Sequence, residues 1–137
     1  MHRKILIADD NQRVRAAVAE LLSLQSGCEV CGEAQDGPET IHKAVQLAPD
    51  VVFLDISMPG MDGLAVTRRL RTQVPSARIV VMSQHDPDIL LPLAMAAGAD
   101  GCLDKNRLKQ EILSTIERVT SAIRKDAGPD LSLPRSA

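Results

Sequence analysis

Asp9 and Asp10, Asp55, Ser83 and Lys105 share one habit. Each stands at the end of, or just after, a short apolar run: 4–8, 51–54, 78–82 and 101–104 respectively. If those runs lie side by side, three carboxylates, a hydroxyl and an ammonium converge. Carboxylates at close quarters repel, and at least one pKa rises unless a cation sits among them. An all-oxygen, partly wet site suits Mg²⁺, which prefers octahedral coordination and keeps several waters. Ca²⁺ suits it less, because the chain has no EF-hand loop pattern. Lys105 balances the acids in an empty site and holds a phosphoryl oxygen in a loaded one. A carboxylate flanked by a metal and an ammonium is a nucleophile of the aspartyl-phosphate kind, and both cations screen the charge of an in-line transfer. Each residue also has a bland reading. Asp10 or Asn11 can cap a helix, Ser83 can cap the next segment, Asp55 can be a solvated loop acid and Lys105 a surface lysine. Their common register favours the chemical reading.

The elements that must position them are legible as alternating patterns. The run 4–8 is followed by Val14, Val18, Leu21 and Leu22 at helical spacing. A second strand over 29–34 leads to the turn at Asp36-Gly37-Pro38. Ile41, Ala44, Val45 and Ala48 then make a helical face that Pro49 stops. The third strand, 51–54, ends at Asp55. Val66, Leu70 and Val74 form the next helix, ended by Pro75. The fourth strand is 78–82, and its helix lies between Asp88 and Ala97 with Gly98 as C-cap. After the fifth strand, 101–104, Leu108, Ile112, Ile116, Val119 and Ile123 form the clearest amphipathic helix. Five strand–helix pairs in strict alternation, with continuously apolar strands, predict an α/β doubly wound parallel sheet covered on both faces. In such a sheet, sites form beyond the carboxyl ends of the strands, where the polar residues stand.

Composition bounds the rest. The 137 residues suit one domain, read as residues 1–125, with 126–137 as a tail or the start of a linker. Lys and Arg number 16 against 18 Asp and Glu, so there is no basic footprint for direct nucleic-acid binding. No apolar stretch is long enough for a membrane span or a signal peptide, so a cytoplasmic protein is expected. One Phe and no Trp or Tyr leave little aromatic surface to hold a flavin. There is no P-loop, no Gly-x-Ser-x-Gly and no Gly-x-Gly-x-x-Gly, which argues against a turnover enzyme on this sheet. Cys28 and Cys31 form a Cys-x-x-Cys. A zinc half-site or redox pair would need a second pair, a His cluster or a helix start, so a structural reading is preferred, with Cys31 buried.

The Asp9-Asp10 pair, Asp55 followed by Met58-Pro59-Gly60-Met61-Asp62-Gly63, Ser83 and Lys105 together resemble the receiver domains of two-component response regulators. The resemblance covers all but the tail. It implies a flavodoxin-like fold of five strands in the order 2-1-3-4-5 with five helices. It makes Asp55 the phosphoacceptor. Asp9, Asp10, Asp55 and the backbone carbonyl of Ser57 become Mg²⁺ ligands, and Ser83 and Lys105 bind the phosphoryl oxygens. The donor would be a sensor histidine kinase, a phosphotransfer protein or a small phosphodonor, and dimerisation on phosphorylation is a family habit. The chain would be a phosphoacceptor with at most slow self-dephosphorylation. The segments Ser83-Gln84-His85-Asp86 and 32–37 resemble the subgroup whose full-length members carry a LuxR-type helix-turn-helix, an output domain absent from these residues. Transcriptional output would come through that domain; the alternative is a stand-alone receiver.

Three positions depart from the family pattern. Cys102 stands where the resemblance calls for a Tyr or Phe that turns inward on activation. Asn106 replaces the usual proline after the lysine, and a cis bond there would cost roughly 3 kcal/mol, so trans is expected. Pro92 falls inside the fourth helix, and proline is best tolerated in a first turn, so a late-starting or distorted helix is predicted. Cys102 and Pro92 together motivate an alternative: an interaction module that keeps the fold without switching. His85, two residues after Ser83, is either an exposed loop histidine or a group that tunes water attack on the acyl phosphate, as that position and Ser57 do in the family.

Overall fold

The structure is a computed structural model and describes residues 2–60 and 62–121. Its elements alternate without exception: β1 (Arg3–Ala8), α1 (Gln12–Ser23), β2 (Cys28–Ala34), α2 (Gly37–Leu47), β3 (Val51–Asp55), α3 (Gly63–Gln73), β4 (Arg78–Ser83), α4 (Pro87–Ala97), β5 (Gly101–Asp104), a 3₁₀ turn over Lys105–Arg107, and α5 (Leu108–Ser121). The strands form one parallel sheet in the order β2-β1-β3-β4-β5, as expected.

Side chains alternate along each strand, so the sheet feeds two cores. Leu6, Val52, Leu54, Ile79 and Val81 pack against Ile41 and Ala44 of α2, Val66 and Leu70 of α3 and Ala94 of α4. On the other face Ile5, Ile7, Phe53, Val80, Met82 and Leu103 meet Val18 and Leu22 of α1 and Ile112, Ile116 and Val119 of α5. Both faces are covered, which is why the strands read as unbroken apolar runs. Fully burying each large side chain contributes about 1.5–3 kcal/mol.

The helices start where short polar side chains offer an acceptor to the free N–H groups of the first turn. Asn11, Asp36, Asp62 and Asp86 each accept a hydrogen bond from an N–H two or three residues on. At the far end of α4, Gly98 is left-handed (φ 112°) and acts as the C-cap, as expected.

Three expectations are corrected. α4 does not start late: it begins at Pro87 and runs through Pro92 as one helix. Asp86 caps it and Pro87 occupies the first turn, so the start is well specified. Pro92 removes one interior N–H, and the carbonyl so released belongs to Asp88, an exposed residue that water can reach. Val45 does not join the α2 core face; it is 53% exposed, and Ala48 is the left-handed cap (φ 49°), not a helical residue. Cys31 is half-buried, not buried. No described peptide bond is cis, so the bond before Asn106 is trans. Residues 126–137, read above as tail or linker, lie outside the described residues, as does Ile123.

Candidate functional site

Strand register delivers the polar residues to one rim. Ala8 pairs with Leu54, so the next residues, Asp9 and Asp55, emerge level with each other. Asp55 pairs with Met82, which places Ser83 one step further along β4. Ser83 in turn pairs with Asp104, the residue before Lys105. The β3–α3 loop is drawn tight at Gly63, where an added Cβ would lie 2.3 Å from the Ile56 carbonyl oxygen. The first turn of α3 therefore rests on the backbone immediately after Asp55.

Ligand oxygens of Asp9, Asp10 and Asp55 all lie within 4.8 Å of one another. Asp9 is fully buried and Asp55 is 3% exposed, whereas Asp10 is open to solvent. Asn11, not Asp10, caps α1 by accepting from the Arg13 N–H. Asp9 Oδ1 accepts the Asn11 N–H at 2.8 Å. Its Oδ2 is paired with Lys105 Nζ at 2.7 Å. Asp55 Oδ1 accepts the Ser57 N–H at 3.0 Å, and its Oδ2 is 3.2 Å from Lys105 Nζ. A single ammonium thus bridges two carboxylates.

Burial pushes the Asp55 carboxyl above its ordinary range, and the neighbouring Asp9 pushes the same way. The Ser57 N–H and Lys105 oppose them without cancelling them. Burial by itself would lower Lys105, but Asp9 and Asp55 outweigh it and hold the ammonium above its usual value. The rim therefore carries more negative charge than one ammonium satisfies. One of its carboxylates, Asp10, also faces water. Hard oxygen donors, crowded charge and access to water suit a divalent cation that keeps part of its hydration shell.

Ser83 is buried, and its Oγ accepts the His85 N–H at 2.9 Å; His85 itself is exposed. Ser57 is exposed and contributes its N–H to Asp55. Cys102 pairs with Val81 and is half-buried, and burial pushes its thiol up. Cys28 packs against one core and Cys31 against the other, so they point to opposite faces of β2 and cannot share a metal. One pair escaped the sequence reading. Arg15 donates to the Asp9 carbonyl at 2.7 Å and to Glu33 at 2.8 Å. Its partners lie 6 and 18 residues away, beyond any local spacing signal.

Comparison with known proteins gives a consistent result. Residues 5–117 match the family model described as the response regulator receiver domain. The chain is 37% identical over 119 residues to the nitrate/nitrite response regulator protein NarL of Escherichia coli (strain K12), covering 85% of this chain and 54% of that protein. It is 36% identical over 120 residues to the response regulator UvrY of the same organism, covering 88% and 55%. The chain spans about half the length of the curated relatives it matches. Among solved structures, a LuxR-family two-component response regulator from Aurantimonas sp. SI85-9A1 superposes with a TM-score of 0.83 at 29% identity, covering 92% of each chain. No described helix is long and apolar enough to cross a membrane.

Proposed function

The chain belongs to the response regulator receiver family, related to the NarL and UvrY regulators, and we propose that within it Asp55 is the phosphoacceptor of a Mg²⁺-dependent site. The observation that carries this reading is the single Lys105 ammonium set between Asp9 and Asp55, with the ligand oxygens of three carboxylates within 4.8 Å. Asp9, Asp10, Asp55 and the Ser57 carbonyl would hold the ion. When bound, it offsets the repulsion among the carboxylates and the charge of the incoming phosphoryl group. An Asp55 carboxylate oxygen attacks phosphorus in line. The new O–P bond forms as the N–P bond of a phosphohistidine donor breaks, and the departing imidazole nitrogen takes up a proton. Lys105 and the Ser83 hydroxyl hold phosphoryl oxygens, and the Ser57 N–H keeps Asp55 oriented. The donor is a sensor histidine kinase or a phosphotransfer protein. Regulation of transcription belongs to an output domain outside these 137 residues, and the receiver itself turns over nothing beyond slow loss of its own phosphate.

The test is labelling with acetyl phosphate. The protein should take up phosphate with Mg²⁺ present and not in EDTA, and Asp55→Asn should abolish uptake. Labelling that persists in that variant overturns the assignment.

Cys102 supports a second reading, in which the domain binds partners without switching. A thiol fills far less of the space beside β5 than the aromatic ring the resemblance calls for. NMR spectra with and without beryllofluoride separate the two readings. Shifts confined to the rim around Asp55 favour a static module, and shifts that spread through Ser83 into α4 favour a switch.

A further inference from the structure

We propose that Arg15 is a positioning residue for the acidic rim: anchored on Glu33 of β2, its guanidinium holds the Asp9 carbonyl and so fixes the Asp9–Asp10 peptide from which two of the site's carboxylates hang. The inference rests on the metal-site reading above. Arg15 lies in the first turn of α1 with a side chain only 12% exposed. Its Nη1 donates to Asp9 O at 2.7 Å, and its Nε donates to Glu33 Oε1 at 2.8 Å. Two nitrogens of one planar fork thus reach two acceptors on different elements, a task a single ammonium does not reproduce.

The peptide is gripped from several sides. The Asp9 N–H donates to Ala34 O at 3.0 Å, the last bond of the β1–β2 pairing. The Asn11 N–H donates to Asp9 Oδ1. The Glu33 anchor is steadied in turn by Lys43, which donates to the Glu33 carbonyl and pairs with Glu39 at 3.2 Å. Arg15 therefore ties the loop carrying Asp9 and Asp10 to β2 and, through Lys43, to α2.

Position and charge predict opposite signs for its removal. A guanidinium near three acids repels an incoming cation, so if its charge were all that mattered, neutralising it would tighten Mg²⁺ binding. If Arg15 holds ligand geometry, neutralising it loosens binding, as loss of an outer partner of metal ligands does. Among the described residues, Arg15 bonds to a neutral carbonyl and to Glu33, not to the carboxylates of the site, which favours geometry.

The experiment is Mg²⁺ titration by calorimetry of the wild type, Arg15→Gln, Arg15→Lys and Glu33→Ala, with hydrogen exchange of the Asn11 amide followed by NMR in EDTA. Affinity should fall about tenfold in Arg15→Gln and by a similar factor in Arg15→Lys, which keeps the charge but not the fork. Glu33→Ala also removes an acid and so weakens binding on either account; its diagnostic readout is the Asn11 exchange. The Asn11 amide should exchange faster in all three variants without metal. Unchanged or tighter binding in Arg15→Gln overturns the proposal, as does unchanged Asn11 exchange. If the wild type itself binds no Mg²⁺, the metal reading fails, and the Asn11 exchange still decides whether Arg15 positions the loop. Should Arg15→Gln not fold, Arg15→Lys, which leaves the net charge unchanged, carries the same comparison, and unchanged affinity and Asn11 exchange in it overturn the proposal.

Discussion

Replacing Asp55 with Asn should stabilise the metal-free protein. The Asp55 carboxylate, 3% exposed, has ligand oxygens of Asp9 and Asp10 within 4.8 Å and Lys105 Nζ at 3.2 Å. At an effective dielectric of about 20, the attraction to Lys105 is about 5 kcal/mol and the repulsion from Asp9 alone is about 3.5 kcal/mol. Asp10 adds a smaller, solvent-screened repulsion, so the Coulomb terms come close to cancelling. What remains is the cost of burying the charge, several kcal/mol per ion, which the Ser57 N–H relieves only in part. Asn keeps an oxygen to accept that N–H and removes the charge, and Lys105 keeps Asp9 as its partner. A gain of about 2 kcal/mol follows, or roughly 6 °C in Tm for a domain of this size. The sign with pH is fixed by the raised Asp55 carboxyl. The folded state keeps its proton to higher pH than the unfolded chain, so the wild type loses stability as pH rises from the ordinary carboxylate range through the raised one. The advantage of the variant should be absent in strong acid and full at neutrality. Saturating Mg²⁺ should shrink or invert it, since only the wild type keeps all three carboxylates; a ligand at a hundred times its Kd adds about 2.7 kcal/mol. Thermal melts by circular dichroism in EDTA and in Mg²⁺, across pH, measure all of this. A lower Tm for Asp55→Asn in EDTA at pH 7 would refute the reasoning.

Gly63→Ala places a Cβ 2.3 Å from the Ile56 carbonyl, a backbone atom that cannot swing aside. Urea unfolding should show a loss of at least about 2 kcal/mol, and a variant within 0.5 kcal/mol of wild type, roughly the scatter of a neutral surface change, would contradict the contact. Cys102 is held above the ordinary thiol range by burial first and by Asp104 second. Peptide-resolved alkylation with iodoacetamide at pH 8 should be about tenfold slower at Cys102 than for free cysteine and still climbing above pH 9, because the thiolate is the nucleophile. A plateau near neutrality would mean an activated thiol instead.

What the sequence revealed and what it hid follow from the range of the forces involved. The strands were legible because a doubly covered parallel sheet leaves no polar face, so runs such as Val51 to Leu54 stay apolar throughout, whereas their order follows from the resemblance to receiver domains and not from the pattern. The rim was legible because parallel strands end on one side, so polar residues just beyond apolar runs must meet there. At the start of α4, Pro92 reads as a breaker, while Asp86 and Pro87, a cap and a first-turn proline, specify the earlier start. Val45 shows the reverse error: helical spacing put it beside Ala44, but the core stripe of α2 runs through Thr40, Ile41 and Ala44 and leaves Val45 outside.

The unequal roles of neighbours were hidden for a different reason. Asp9 and Asp10 are adjacent and chemically identical, yet one is fully buried and the other exposed. The cause is position: the Asp9 N–H still donates to the Ala34 carbonyl of β2, and Asp10 stands one residue further from the end of β1. That single step separates a carboxylate committed to the protein interior from one available to water. It also explains why the grip on the peptide between them comes from outside the acidic cluster. A crowded set of like charges cannot organise itself, because every contact within it is repulsive. Its geometry has to be imposed by Lys105 from β5's end, by main-chain N–H groups of Asn11 and Ser57, and by Arg15 reaching across from α1.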